Sequence, residues 1–198
     1  MQTELWKSLA RWGPSRDKAQ FEAICLVDDF SGSGSSVIRY DSDDKRWKGK
    51  VAKFHKANLE RIGKELTEDC VIHIHHHLAS AQAKAQIEAD VERFEKACPE
   101  FRYIVSFSYV LPKEIAIDDA CTDTDLVALF KSWYDPNIED EHTKKDIWFG
   151  YKKCGLPLVL EHNTPNNSVA LLWAESEAGA NPLMKPLFAR RKRHSSNG

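Results

Sequence analysis

Residues 24–36, Ile-Cys-Leu-Val-Asp-Asp-Phe-Ser-Gly-Ser-Gly-Ser-Ser, restrict the fold more than any other stretch of this chain. Four successive apolar residues suit a strand buried in a parallel sheet. They run straight into Asp28 and Asp29, then into a Gly/Ser loop that reads as the start of a helix. Open α/β sheets bind ligands at the carboxyl ends of their strands, where this acid pair is expected, with the chain bending so that both carboxylates reach a ligand. The loop Ser31-Gly32-Ser33-Gly34-Ser35-Ser36 presents consecutive backbone N–H groups and hydroxyls, a cradle for phosphate at a helix N-terminus. Acids beside such a cradle suit a polyol phosphate, with carboxylates for hydroxyls or Mg²⁺ and amides for phosphate oxygens. The competing reading is a plain turn, since Asp, Ser and Gly are also good loop formers.

Apolar runs elsewhere alternate with helical patterns. The sequence predicts a helix over 2–12 stopped by Gly13-Pro14, a connector to Gln20, and a strand over 21–28. A short helix is expected around Val37, Ile38 and Tyr40, and a long one from Trp47 to Leu66. A strand over 70–78, a helix over 80–97 and a strand over 101–111 follow, then a helix capped within Thr122–Asp125 that closes at Asp135-Pro136. A polar loop from Pro136 to Asp146 precedes a last strand over 156–160. Strands alternating with helices of this length indicate an α/β fold with a largely parallel twisted sheet flanked by helices. Three segments are expected: an N-terminal helix and connector (1–20), an α/β domain (21–178) and a basic tail (179–198).

A formal charge of −2 gives no reason to expect nucleic-acid binding by the chain as a whole, although Arg190-Arg191-Lys192-Arg193-His194 could touch phosphates. The five cysteines are odd in number and lack a Cys-x-x-Cys, which argues against a disulfide framework or structural zinc and for a reducing cytoplasm. The start Met1-Gln2-Thr3-Glu4 does not read as a signal peptide, and no apolar run is long enough for a membrane span.

Two further clusters carry chemistry. Glu161-His162-Asn163-Thr164-Pro165-Asn166-Asn167-Ser168 follows the expected last strand and is placed at a carboxyl edge. An acid, an imidazole and three side-chain amides there suit base recognition or general acid–base work, with a turn as the alternative. His73, His75 and His77 share one face of a strand, a spacing compatible with metal ligation. No cysteine or carboxylate accompanies them, so a partly exposed sheet edge is the favoured reading, with only His77 near a ligand.

The segment Val27-Asp28-Asp29-Phe30-Ser31-Gly32-Ser33-Gly34-Ser35-Ser36 resembles the phosphoribosyl pyrophosphate (PRPP) motif of type I phosphoribosyltransferases. The stretch Gly155–Ser168 through Leu171-Leu172-Trp173 resembles the C-terminal signature of phosphoribosyltransferase-like proteins of bacterial conflict operons, including antiphage and retron-linked sets. Together the two cover roughly residues 21–175. The resemblance implies that Asp28 and Asp29 contact ribose hydroxyls and support Mg²⁺ indirectly, and that Ser31 to Ser36 hold the 5′-phosphate. It implies that Glu161 and His162 assist catalysis, and that Asn163, Asn166 and Asn167 recognise a base or leaving group. Family members more often carry Thr-Gly-x-Thr in the loop, and the serines here preserve the donor. Several purine-salvage members carry Asp where this chain has Gly32, which argues against purine salvage.

Family members also have a strand and a pyrophosphate loop upstream, whereas the 27 residues before Asp28 read as one helix plus a connector. Either the chain is the C-terminal part of a longer protein, or it is a reduced relative that keeps the sugar-phosphate site. The resemblance therefore implies a PRPP- or nucleotide-binding protein with Mg²⁺, a candidate pentosyl transferase and an effector of a defence system. A non-catalytic nucleotide sensor and a nucleoside or nucleotide glycosidase are the rivals. Expected partners are PRPP or a nucleotide, an operon-encoded protein, a nucleic acid and a second copy of the chain, but not a membrane.

Overall fold

Three apolar-rich segments pair side by side in the computed structural model, which describes residues 19–118, 121, 123–139 and 147–188. The strands are β1 (Phe21–Ser31), β4 (Leu66–Ser80) and β5 (Arg102–Leu111). Their order in the sheet is β1-β4-β5 with both pairings parallel, so the α/β fold with a parallel sheet flanked by helices is as expected. Helix α1 (Lys50–Asn58) follows β1 through a small hairpin, and α2 (Ala81–Ala97) joins β4 to β5 as a crossover. A third helix, α3 (Thr124–Trp133), starts where the Asp123 carboxylate accepts the Leu126 N–H at 2.9 Å.

One face of the sheet is buried under helices. Ile72, Ile74 and Cys70 of β4 meet Ala83, Ile87, Val91 and Phe94 of α2 in a continuous core. Phe94 is its hub, edge-on to Trp47 at 5.3 Å and to His55 at 5.1 Å, with Tyr103 at 5.6 Å between ring centroids. The other face carries Cys25, Val27, His73, His75, Ile104 and Ser106. Val27 is 56% exposed and Cys25 is exposed, which makes β1 an edge strand with one open side. The expected fully buried strand is therefore corrected: an apolar run alone does not report whether both faces will be covered. A second, smaller core gathers Ala170, Ala174 and Met184 against Tyr134, Ile138, Leu171 and Trp173.

Several boundaries also differ. The strand expected to end at Asp28 runs on to Ser31, because its ladder with β4 continues to the Ser31–Ala79 pair. The short helix expected near residue 38 is a single turn closed by Val37 N–H to Gly34 O at 3.0 Å, and Arg39–Asp41 then form β2. Strand β2 pairs antiparallel with β3 (Arg46–Lys48), where the long helix was expected to begin. That helix ends at Asn58 with one 3-10 turn to Arg61, so Leu66 is free to start β4. Residues 156–160 join no sheet. Leu156 bridges Ser168 and Leu160 bridges Asn163, a looped path consistent with Pro157 having no N–H for a ladder. The expected helix over 2–12, the start of its connector, Thr122, the 140–146 part of the polar loop and the basic run 190–194 lie outside the described residues.

Two buried histidines give the helix-covered face a pH dependence. Burial pulls His55 below its ordinary value of 6.5 against the opposing field of Glu100, and burial likewise lowers His76. A histidine depressed by folding binds its proton more readily in the unfolded chain. Stability is therefore full above about pH 6.5 and declines as the pH falls below it. Urea titrations between pH 4.5 and 7.5 are expected to show this decline, and His55→Leu with His76→Leu should flatten it.

Candidate active site

The C-terminal segment lies across the carboxyl ends of the strands and builds the site. Cys154 directs its thiol to the Gly32 carbonyl at 3.5 Å, and Gln82 Nε2 donates to the Lys152 carbonyl at 3.4 Å. The Ile117 N–H donates to the Gly155 carbonyl at 2.8 Å, so the cap touches the chain beyond β1, β4 and β5 in turn. Asn167 is packed so tightly on Gly32 that any side chain there would collide with it. Its amide nitrogen donates to Tyr151 O and Cys154 Sγ, each at 3.3 Å. Burial pushes the Cys154 thiol up to about 11, which keeps it a neutral donor.

The loop after β1 is held by its carbonyls. Gly32 O accepts from the Ser80 hydroxyl at 2.5 Å as well as from Cys154, Gly34 O accepts from Val37 N–H, and Ser35 O accepts from Arg39 at 2.7 Å. In a trans peptide the C=O and the next N–H point in opposite directions. Pinning these three carbonyls therefore turns the N–H groups of Ser33, Ser35 and Ser36 the other way. The N–H groups of Ser33, Gly34, Ser35 and Ser36 have no acceptor among the described residues. Gly34, at φ 74°, packs against Ala83, Gln86 and Ile87 of α2, which is what lets the loop lie close to that helix. The Ser33 and Ser35 hydroxyls contact each other at 3.0 Å, and the Ser31 hydroxyl is buried without a partner.

The two acids have separate partners within the protein. Because β1 continues past them, the expected bend is absent and each carboxylate meets a different side chain. Asp28 forms an ion pair with Lys50, beside the buried His76 that is its register partner on β4. Asp29 meets His162 Nε2 at 2.7 Å across 133 residues of sequence. Partial burial raises the Asp29 pKa, but hydrogen bonds from His162 and from the Phe30 N–H outweigh it and leave the carboxyl below its ordinary 3.8. That contribution to stability is in place above about pH 3.8 and is lost as the pH drops through the depressed native value. Asp29→Asn should remove this acid limb from a urea titration, an effect below about 1 kcal/mol because the pair is half exposed.

The remaining expected residues are distributed unevenly. His162 and Asn167 reach the loop and its acids, whereas Glu161 is exposed and makes no hydrogen bond or ion pair among the described residues. Asn166 contributes its carbonyl to the Tyr151 N–H at 2.6 Å, and Asn163 closes a turn with Leu160. His73 and His75 share the Ser106 hydroxyl at 2.7 Å each, and His75 also reaches Ser108 at 3.0 Å, while His77 is exposed. Lys50, His76 and Cys154 are site residues that sequence reasoning missed. A lysine heading a helix and a histidine inside a His run carry no signal of their own.

A metal ion held by the protein alone does not fit. Asp28 is engaged by Lys50 and Asp29 by His162, and among the described residues no three His, Cys, Asp or Glu side chains are grouped to hold an ion. An apolar hollow of about 330 Å³ beside the second core, lined by Trp133, Leu171 and Leu187 among others, includes none of the expected site residues. Among the described residues no helix is long and apolar enough to cross a membrane.

No curated protein and no solved structure matches the chain. A family model described as PRTase-CE matches residues 3–190. Taken with the parallel sheet and the acid–loop motif, that match shows that the chain belongs to the PRTase-CE family, a phosphoribosyltransferase-like family.

Proposed function

We propose that the loop 31–36 binds the 5′-phosphate of PRPP or a nucleotide, with Asp28 and Asp29 taking the ribose hydroxyls. The observation that carries this reading is the run of four loop N–H groups without acceptors among the described residues, two of the loop's carbonyls being tied down by Ser80, Cys154 and Arg39. Amides fixed in this way bind an anion without first giving up a protein partner. Mg²⁺ would arrive on the phosphates of the ligand, in the indirect role that two already paired carboxylates allow. His162, whose Nε2 meets Asp29, would exchange a proton with an acceptor or leaving group, and Asn167 would fix the base side of the pocket. Pentosyl transfer would then depend on positioning and on neutralising the departing pyrophosphate. In the conflict-operon setting implied by the resemblance, such chemistry would make the protein a defence effector acting on nucleotides.

Calorimetric titration with ribose 5-phosphate and with PRPP, each with and without Mg²⁺, tests the proposal. Saturable binding of ribose 5-phosphate, but not of ribose, is expected. Pyrophosphate release from PRPP in the presence of an acceptor base identifies a transferase, and release of free base with ribose 5-phosphate from an added nucleoside monophosphate, without pyrophosphate, identifies a glycosidase. Binding without release makes the protein a nucleotide sensor. No binding of either phosphate ester removes the reading.

A further inference from the structure

We infer that Lys50 is the cationic ligand of the bound phosphate, sharing its ammonium between Asp28 and the anion in loop 31–36. The inference rests on the phosphate reading above and adds a residue to it. Lys50 is the first residue of α1, and its N–H donates to the Ser36 carbonyl at 3.0 Å. The Val51 N–H repeats this on Val37 O at 3.0 Å, so the head of the helix is fastened to the end of the loop. Gly49, at φ 111°, allows that approach, since a Cβ there would overlap Val37. From this anchor the Lys50 side chain reaches Asp28, yet it stays 59% exposed. An ammonium has three donors, and one contact to Asp28 leaves others for a second anion.

Two buried polar atoms, one beside Asp28 and one where the loop begins, lack a partner among the described residues and leave capacity for a ligand. The Ser31 hydroxyl, on a residue 4% exposed, opens the loop without a partner, and His76 Nδ1, on a residue 2% exposed, is unpartnered in the register position next to Asp28. Charge balance points the same way. A phosphate entering beside Asp28 and Asp29 meets two carboxylates. His162 answers Asp29, and Lys50 is the group placed to answer both Asp28 and the newcomer. Arg39 also lies by the loop, but its Nη1 donates to the Ser35 carbonyl, which points away from the Ser36 N–H.

Amide NMR titrations of the full chain with inorganic phosphate and with ribose 5-phosphate, read at Ser33 to Ser36, test the inference. Lys50→Met is expected to weaken both ligands by about tenfold or more, the usual loss for one charge-assisted contact. Asp28→Asn is expected to tighten inorganic phosphate, by freeing the ammonium from its competitor, while weakening ribose 5-phosphate. Lys50→Arg should keep most of the phosphate affinity because it keeps the charge. If Lys50→Met leaves inorganic phosphate within about twofold of wild type, Lys50 acts only on Asp28 and the inference is overturned, with the phosphate reading intact. If the wild type binds neither ligand, both fall together.

Discussion

Gly155→Ala is expected to destabilise the protein by about 2–5 kcal/mol and to detach the C-terminal cap from the sheet. Gly155 has φ 58°, in the left-handed region that costs alanine roughly 1–2 kcal/mol. Its Cβ would also be driven into the backbone carbonyl of Ile117, which cannot swing away as a side chain can. The same residue donates to Phe149 O at 2.6 Å and accepts from Ile117 N–H at 2.8 Å, so displacement breaks two contacts that hold the cap. Cys154 and Asn167 would then leave Gly32, and the loop would lose a donor to its pinned carbonyl. Gly63→Ala is the control: φ is 74°, but nothing lies within 4 Å, and only the backbone strain of about 1–2 kcal/mol remains. Urea denaturation of the two variants measures the difference. Equal losses would show that the Gly155–Ile117 approach does not hold the cap.

Asp28→Asn combined with Asp29→Asn is expected to lower ribose 5-phosphate affinity by at least about a hundredfold, because hydrogen bonds from hydroxyls to a charged acceptor contribute roughly 1.5–3 kcal/mol each. Stability should change by no more than about 1 kcal/mol per site, since both ion pairs are solvent-accessible. The side chains of Asp28 and Asp29 are 30% and 49% exposed, and neither packs in the core. Calorimetry on a variant with an unchanged melting curve separates the two effects. Unaltered affinity would dismiss the acids as ligand groups and leave the loop as a bare anion site.

The α/β architecture was legible because strand and helix periods alternate cleanly over residues 70–111. Ile72 and Ile74 mark one face of β4, and Ala83, Ile87, Val91 and Phe94 mark one stripe of α2. The short hairpin was not legible. Tyr40 and Trp47 pair across β2 and β3 because Arg93, Phe94 and the facing rings receive them there, and three-residue strands are too short to show a period. The strand expected over 156–160 failed for another reason: Pro157 has no N–H for a ladder, and Leu156 and Leu160 pair only with Ser168 and Asn163 of the same segment.

The acid pair, the Gly/Ser loop and the Asn-rich turn are local features, and their residue types alone carried the resemblance to the phosphoribosyltransferase-like family to which the chain belongs. Which carboxylate meets which cation was decided in three dimensions. Asp29 and His162 are 133 positions apart, and Asp28 and Lys50 are 22 apart on different elements. Local periodicity reports what each segment can bury, whereas the closing of distant segments over one edge depends on the shape of everything packed between them. Only the tertiary structure therefore turned two adjacent aspartates into two separately partnered groups beside a row of loop N–H groups that lack acceptors among the described residues.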